Sequence, residues 1–121
     1  MPIATLSLVA LDCAEPRELA EFYQRVLGGE IVASSPAEDW VTLKLGGGCD
    51  LAFQRDPRHR APVWPGGLPQ QLHLDFDVPD LDAGESAVIA AGAVKAGTQP
   101  EPDSWRVFLD PSGHPFCLVK A

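Results

Sequence analysis

What this chain has little of narrows its function first. It has three cysteines, Cys13, Cys49 and Cys117, odd in number, widely spaced and never arranged as CxxC. That argues against a disulfide framework and for reduced thiols in a cytoplasm. Lys and Arg total 9 against 17 Asp and Glu, a formal charge of −8. Such a surface repels phosphate backbones, so nucleic acid is not an expected partner, whereas cationic ligands are favoured. No apolar run approaches the roughly 20 residues needed to cross a bilayer. No basic stretch leads into an apolar one with a small-residue cleavage site, so neither membrane association nor secretion is expected. Gly46-Gly47-Gly48 lies between two strand patterns rather than before a helix, which does not support a phosphate-binding loop. No serine or cysteine has a recognisable nucleophile context, and Cys117 with His73 is the one pairing to weigh.

What is present suits one compact domain with a real core: 121 residues, 45% hydrophobic and 21% charged. Residues 3–11, IATLSLVAL, are nearly all apolar and read as a buried strand. Pro16 fits a first helical turn. Leu19, Phe22, Tyr23, Val26 and Leu27 then fall at i, i+3, i+4, i+7 and i+8, the apolar stripe of a helix that Gly28-Gly29 ends. Strands are expected over 30–33, 40–45 and 49–54. Residues 55–71, RDPRHRAPVWPGGLPQQ, hold four prolines and read as an irregular connector. A strand over 72–78 follows, then a weaker helix over 81–91, in which Gly84 should cost about 1 kcal/mol. Strands near 93–96 and 105–109 precede a last hairpin arm over 116–119. The turn before that arm, Asp110-Pro111-Ser112-Gly113, has Pro to preset φ and Gly to supply a positive one.

The two halves repeat. An offset of 65 maps Leu8 to His73, Asp12 to Asp77, Tyr23 to Val88, Trp40 to Trp105 and Gly48 to Gly113. Each half reads strand, helix, three strands, an α+β arrangement in which a helix covers one face of a small sheet.

The segment DPSGHPFCLV, and VWPGGLPQQLHLDFDV before it, resembles the glyoxalase/bleomycin-resistance family of the vicinal oxygen chelate superfamily. The resemblance covers essentially the whole chain. It implies paired βαβββ modules forming a cup-shaped mixed sheet: a single domain over 1–121, with a first module over 1–54, the connector over 55–71 and a second module over 72–121. It also implies a small organic molecule held in the cup and a homodimer. In metal-dependent members each module supplies one ligand from its first strand and one from its last. Those positions here are Leu8 and His73, then Ala52 or Gln54, and Cys117 where a Glu would stand. A fixed offset selects Ala52, while a two-residue slip in the glycine turn selects the polar Gln54, which is preferred for a polar cavity. Leu has no donor atom and Gln is a weak ligand, whereas His and a thiolate suit zinc. The metal candidates are therefore His73, Cys117 and Gln54. The expectation is no cofactor and no complete divalent-metal site, with Cys117 a small buried hydrophobe.

Gln54, His73, Asp75, Cys117 and Trp64 are the expected ligand-binding residues. Asp75 lies two residues after His73, so the two share a strand face. It either orients the imidazole or acts as a base, or it faces a cationic ligand or a wet sheet edge. Trp64 either closes over a pocket mouth or packs beneath its own loop. Trp40 and Trp105 read as packing residues, Tyr23 as core, His59 as solvated and His114 as part of the hairpin turn. Two functions follow: a metal-independent binding module, or a metal-dependent lyase, isomerase or dioxygenase. A metal-free enzyme using His73 or Asp75 as base is a third.

Overall fold

The computed structural model describes Pro2 and residues 5–121. The chain forms two compact units, Met1–His59 and Arg60–Ala121. Each is a four-stranded mixed sheet with one helix packed on it.

In the first unit the order is β1 (Leu8–Cys13), α1 (Pro16–Leu27), β2 (Glu30–Ala33), β3 (Trp40–Lys44) and β4 (Asp50–Arg55). The sheet runs β1-β4-β3-β2, with β1 and β4 parallel and the remaining pairs antiparallel. The apolar stripe of α1 is buried over its first two turns, at Leu19, Ala20, Phe22 and Tyr23, whereas Val26 is half-buried and Leu27, at the last turn, is exposed. Tyr23 stacks on Phe53 at 5.7 Å and meets Phe22 edge-on at 4.9 Å. Because Phe53 faces the helix, alternation turns Ala52 and Gln54 to the other face of the sheet.

The second unit repeats this plan with β5 (Leu74–Val78), α2 (Leu81–Ala91), β6 (Val94–Lys95), β7 (Trp105–Leu109) and β8 (Pro115–Lys120). Its sheet runs β5-β8-β7-β6, with β5 and β8 parallel. The Phe116 ring lies 5.7 Å from that of Phe76 and 5.7 Å from that of Phe108. Arg106 turns toward α2 and donates to Asp82 at 2.8 Å and Glu85 at 3.1 Å. Asp80 caps α2 by accepting from the Ala83 N–H.

Some boundaries differ from the sequence expectation. The first strand spans Leu8–Cys13 rather than 3–11, of which residues 3 and 4 lie outside the described residues. Asp12 and Cys13 continue it because β4 pairs with them. The fifth strand starts at Leu74, leaving His73 just before it, because pairing with β8 begins at Phe116. β4 runs one residue into the expected connector, to Arg55, whose side chain is held by Asp39 and the Ala14 carbonyl. His59 is half-buried rather than solvated.

Candidate functional site

The site grows from the last hairpin. Asp110 is buried and its carboxylate accepts from the backbone N–H groups of Ser112 and His114, both at 2.9 Å. Gly113 takes φ +86, and a Cβ there would meet Ala61. This turn sets the register of β7 against β8: Trp105 opposite Val119, Val107 opposite Cys117. His114 is fully buried within it, as a turn residue rather than a pocket residue.

Arg106 and Leu118 face α2, so Trp105, Val107, Pro115, Cys117 and Val119 project from the other face. Asp75 lies opposite Cys117 on the parallel partner strand. This helix-free face holds two adjoining cavities. One, of about 150 Å³, is lined by Trp64, Gln70, His73, Trp105, Val107, Pro115 and Cys117. The other, of about 250 Å³, is lined by His73, Asp75, Trp105, Cys117 and Val119. They share His73, Trp105 and Cys117.

The polar groups of these cavities form a row. The Gln70 amide lies 3.3 Å from His73 Nδ1. With that amide as donor, the neutral imidazole carries its proton on Nε2, which points at Asp75 Oδ1 from 3.6 Å. That separation is too long for a direct hydrogen bond. Asp75 also stands across from the Cys117 thiol in the strand register. Burial pushes this thiol up to about 11, and the charge of Asp75 pushes the same way. The order is therefore thiol, carboxylate, imidazole. A carboxylate beside the thiol stabilises its protonated form, so at neutral pH Cys117 is not an activated nucleophile.

Of the expected site residues, Trp64, His73, Asp75 and Cys117 come together here. Gln54 belongs to the first unit, exposed on the helix-free face of its own sheet beside Trp40. Strand register selects between the two first-unit alternatives. Ala52 pairs with Ala10, and Cys117 pairs with Asp75, so both partners shift by the same 65 positions. Ala52, not Gln54, is the counterpart of Cys117. Leu8 and Ala52 offer no donor atom. Among the described residues no three His, Cys, Asp or Glu side chains are grouped so as to hold a metal. The residues do not fit a metal centre of the superfamily type.

Trp105, Val107, Pro115, Val119 and Gln70 are pocket residues that the sequence did not single out for binding. Alternation from Cys117 identifies Pro115 and Val119, and the repeat pairs Trp105 with Trp40. Nothing local identifies Gln70, whose place depends on the path of the connector.

Paired βαβββ modules, each with a parallel first and last strand, define the vicinal oxygen chelate class of proteins. Within that class, the chain belongs to the glyoxalase-like domain family, which it matches over residues 8–119. Solved structures agree on the fold. An enzyme of the glyoxalase/bleomycin resistance protein/dioxygenase family from Burkholderia phytofirmans PsJN superposes with a TM-score of 0.70 at 23% identity, covering 97% of this chain and 98% of that one. TnmS3, an antibiotic binding protein from Streptomyces sp. CB03234, gives 0.62 at 21% identity over 99% and 98%. The fosfomycin resistance protein FosX from Mesorhizobium loti gives 0.69 at 18% identity over 98% and 92%. No curated protein matches the chain.

Proposed function

We propose that this chain binds a small, largely apolar organic molecule in the helix-free pocket of its second unit, without a metal. The observation that supports this most is the lining. Two indole side chains, Val107, Pro115 and Val119 form the walls, and only a few polar groups converge there. Small-molecule sites have that composition. An antibiotic binding protein among the structures of this fold is consistent with a binding role. The donor set is the argument against a metal-dependent lyase, isomerase or dioxygenase. Two of its four positions, Leu8 and Ala52, lack a donor, and among the described residues no three His, Cys, Asp or Glu side chains group to hold a metal.

The test uses protein treated with EDTA and dialysed, with 3-ethylindole as an apolar ring probe. Titration should shift the indole N–H resonances of Trp64 and Trp105. Trp105→Ala should weaken binding about tenfold, in line with the loss of a stacking wall. No shift up to the solubility limit, or a shift that appears only after a divalent metal is added, would overturn the reading.

A further inference from the structure

Four of the nine Lys and Arg side chains face carboxylates. Arg17 is paired with Glu38, Arg55 with Asp39, Lys95 with Glu85, and Arg106 with Asp82 and Glu85. A cavity of about 270 Å³ beside the start of α2 illustrates this: its Arg106 already has Asp82 as an ion-pair partner. The pocket on the helix-free face differs. Among the described residues no Lys or Arg lines either of its cavities, and none lies at ion-pair distance from Asp75. The groups facing that carboxylate are the Cys117 thiol from β8 and His73 from the end of the connector. Asp77 lies two residues further along the same face and adds negative charge.

Asp75 therefore combines three properties. No Lys or Arg among the described residues pairs with its carboxylate, whose one basic neighbour is the His73 imidazole at 3.6 Å. Its side chain is 57% exposed, which leaves acceptor positions open. It lines a cavity together with Trp105. An anionic ligand placed here meets an unscreened carboxylate. A neutral ring strips water from that carboxylate and returns nothing. A protonated amine supplies the missing donor, and its positive charge also suits the adjacent indole.

We propose, building on the binding role given above, that Asp75 is the specificity-determining residue of this pocket. It selects a primary or secondary ammonium carried on a flat apolar ring, with the ring against Trp105 and Trp64 and the ammonium on the carboxylate. Because Asp75 is more than half exposed, the ion pair stays within the range of exposed pairs, whose ceiling is about 1 kcal/mol. That corresponds to about a fivefold preference in affinity.

The experiment compares tryptamine, 3-ethylindole and indole-3-propionate at neutral pH by the same indole N–H shifts. Tryptamine should bind about fivefold tighter than 3-ethylindole, and indole-3-propionate weakest. Asp75→Asn should remove the tryptamine preference, bringing the affinities for tryptamine and 3-ethylindole together, while Asp77→Asn, outside the cavity lining, should largely keep the preference. In wild-type protein, raising salt from about 20 to 500 mM should erode the preference, because screening acts on a half-exposed pair. Equal affinity for the three probes overturns the role of Asp75 and leaves the binding role standing. So does a loss of affinity in Asp75→Asn that affects tryptamine and 3-ethylindole alike. Absence of binding by all three overturns both.

Discussion

Cys117 and Asp75 show how one pairing decides what a residue can do. A thiol beside an imidazole base is a nucleophile; the same thiol beside a carboxylate is held protonated. The consequence is measurable. Alkylation of Cys117 by iodoacetamide, followed by peptide mass spectrometry, should rise with a midpoint near pH 11 rather than at the ordinary thiol value of 9.0. In Asp75→Asn the midpoint should fall part of the way back, since burial is the larger cause and remains. A midpoint at the ordinary value in wild-type protein would contradict the pairing. The sign for stability follows. The folded thiol binds its proton more tightly than the unfolded one, so its contribution is complete below about pH 9 and is lost as pH rises toward 11. Asp110 is a carboxylate with a different task. It is buried and joined to two backbone donors, so it shapes the hairpin turn.

At the scale of elements, α1 and α2 hold their sheets by different means. α1 uses large side chains: Phe22 and Tyr23 are almost fully buried. Phe22→Ala should cost about 3–5 kcal/mol, from lost burial and the cavity left behind. Urea unfolding should show a loss of that size, and a loss below about 1 kcal/mol would mean the site collapses around the gap. α2 instead comes close to its sheet. A Cβ at Gly84 would lie 3.1 Å from Leu118 Cδ1 and 3.3 Å from Val78 Cγ1. The glycine that weakens α2 as a helix thus allows its close approach to β8. The opposite face of β8 carries Cys117, so the strand links helix packing to the pocket.

At the scale of the whole molecule, the duplication is regular where strands pair. β3 and β7 differ by 65 positions, as do β4 and β8. β6 breaks the rule, having only two residues. Each unit is about 60 residues long, and a unit of that size buries a limited share of its surface. Exposed apolar residues stand on edge strands, Val32 on β2 and Val94 on β6. A homodimer at micromolar concentration is the expected outcome, since two-fold pairs are the commonest assembly. Light scattering coupled to size exclusion should give about twice the 12.9 kDa chain mass. A mass that stays at one chain over a hundredfold dilution series, begun well above micromolar, would exclude it.

The sequence by itself determined the elements and their repetition. The stripe of Leu19, Phe22 and Tyr23, the glycine and proline breaks and the offset of 65 are local or periodic signals. They express side-chain period and backbone restriction, which do not wait for tertiary contacts. The family resemblance brought His73 and Cys117 into consideration, and strand alternation added Asp75. The tertiary structure decided the rest. Only pairing between β1 and β4 could choose Ala52 over Gln54, because alternation puts both on one face and register alone separates them. Only the connector's path could bring Trp64 and Gln70 to the pocket, since an irregular segment has no period to read. The chemical character of Cys117 was also decided there, because a thiol's proton affinity depends on burial and on the carboxylate across the strand, which lies 42 positions away in the chain.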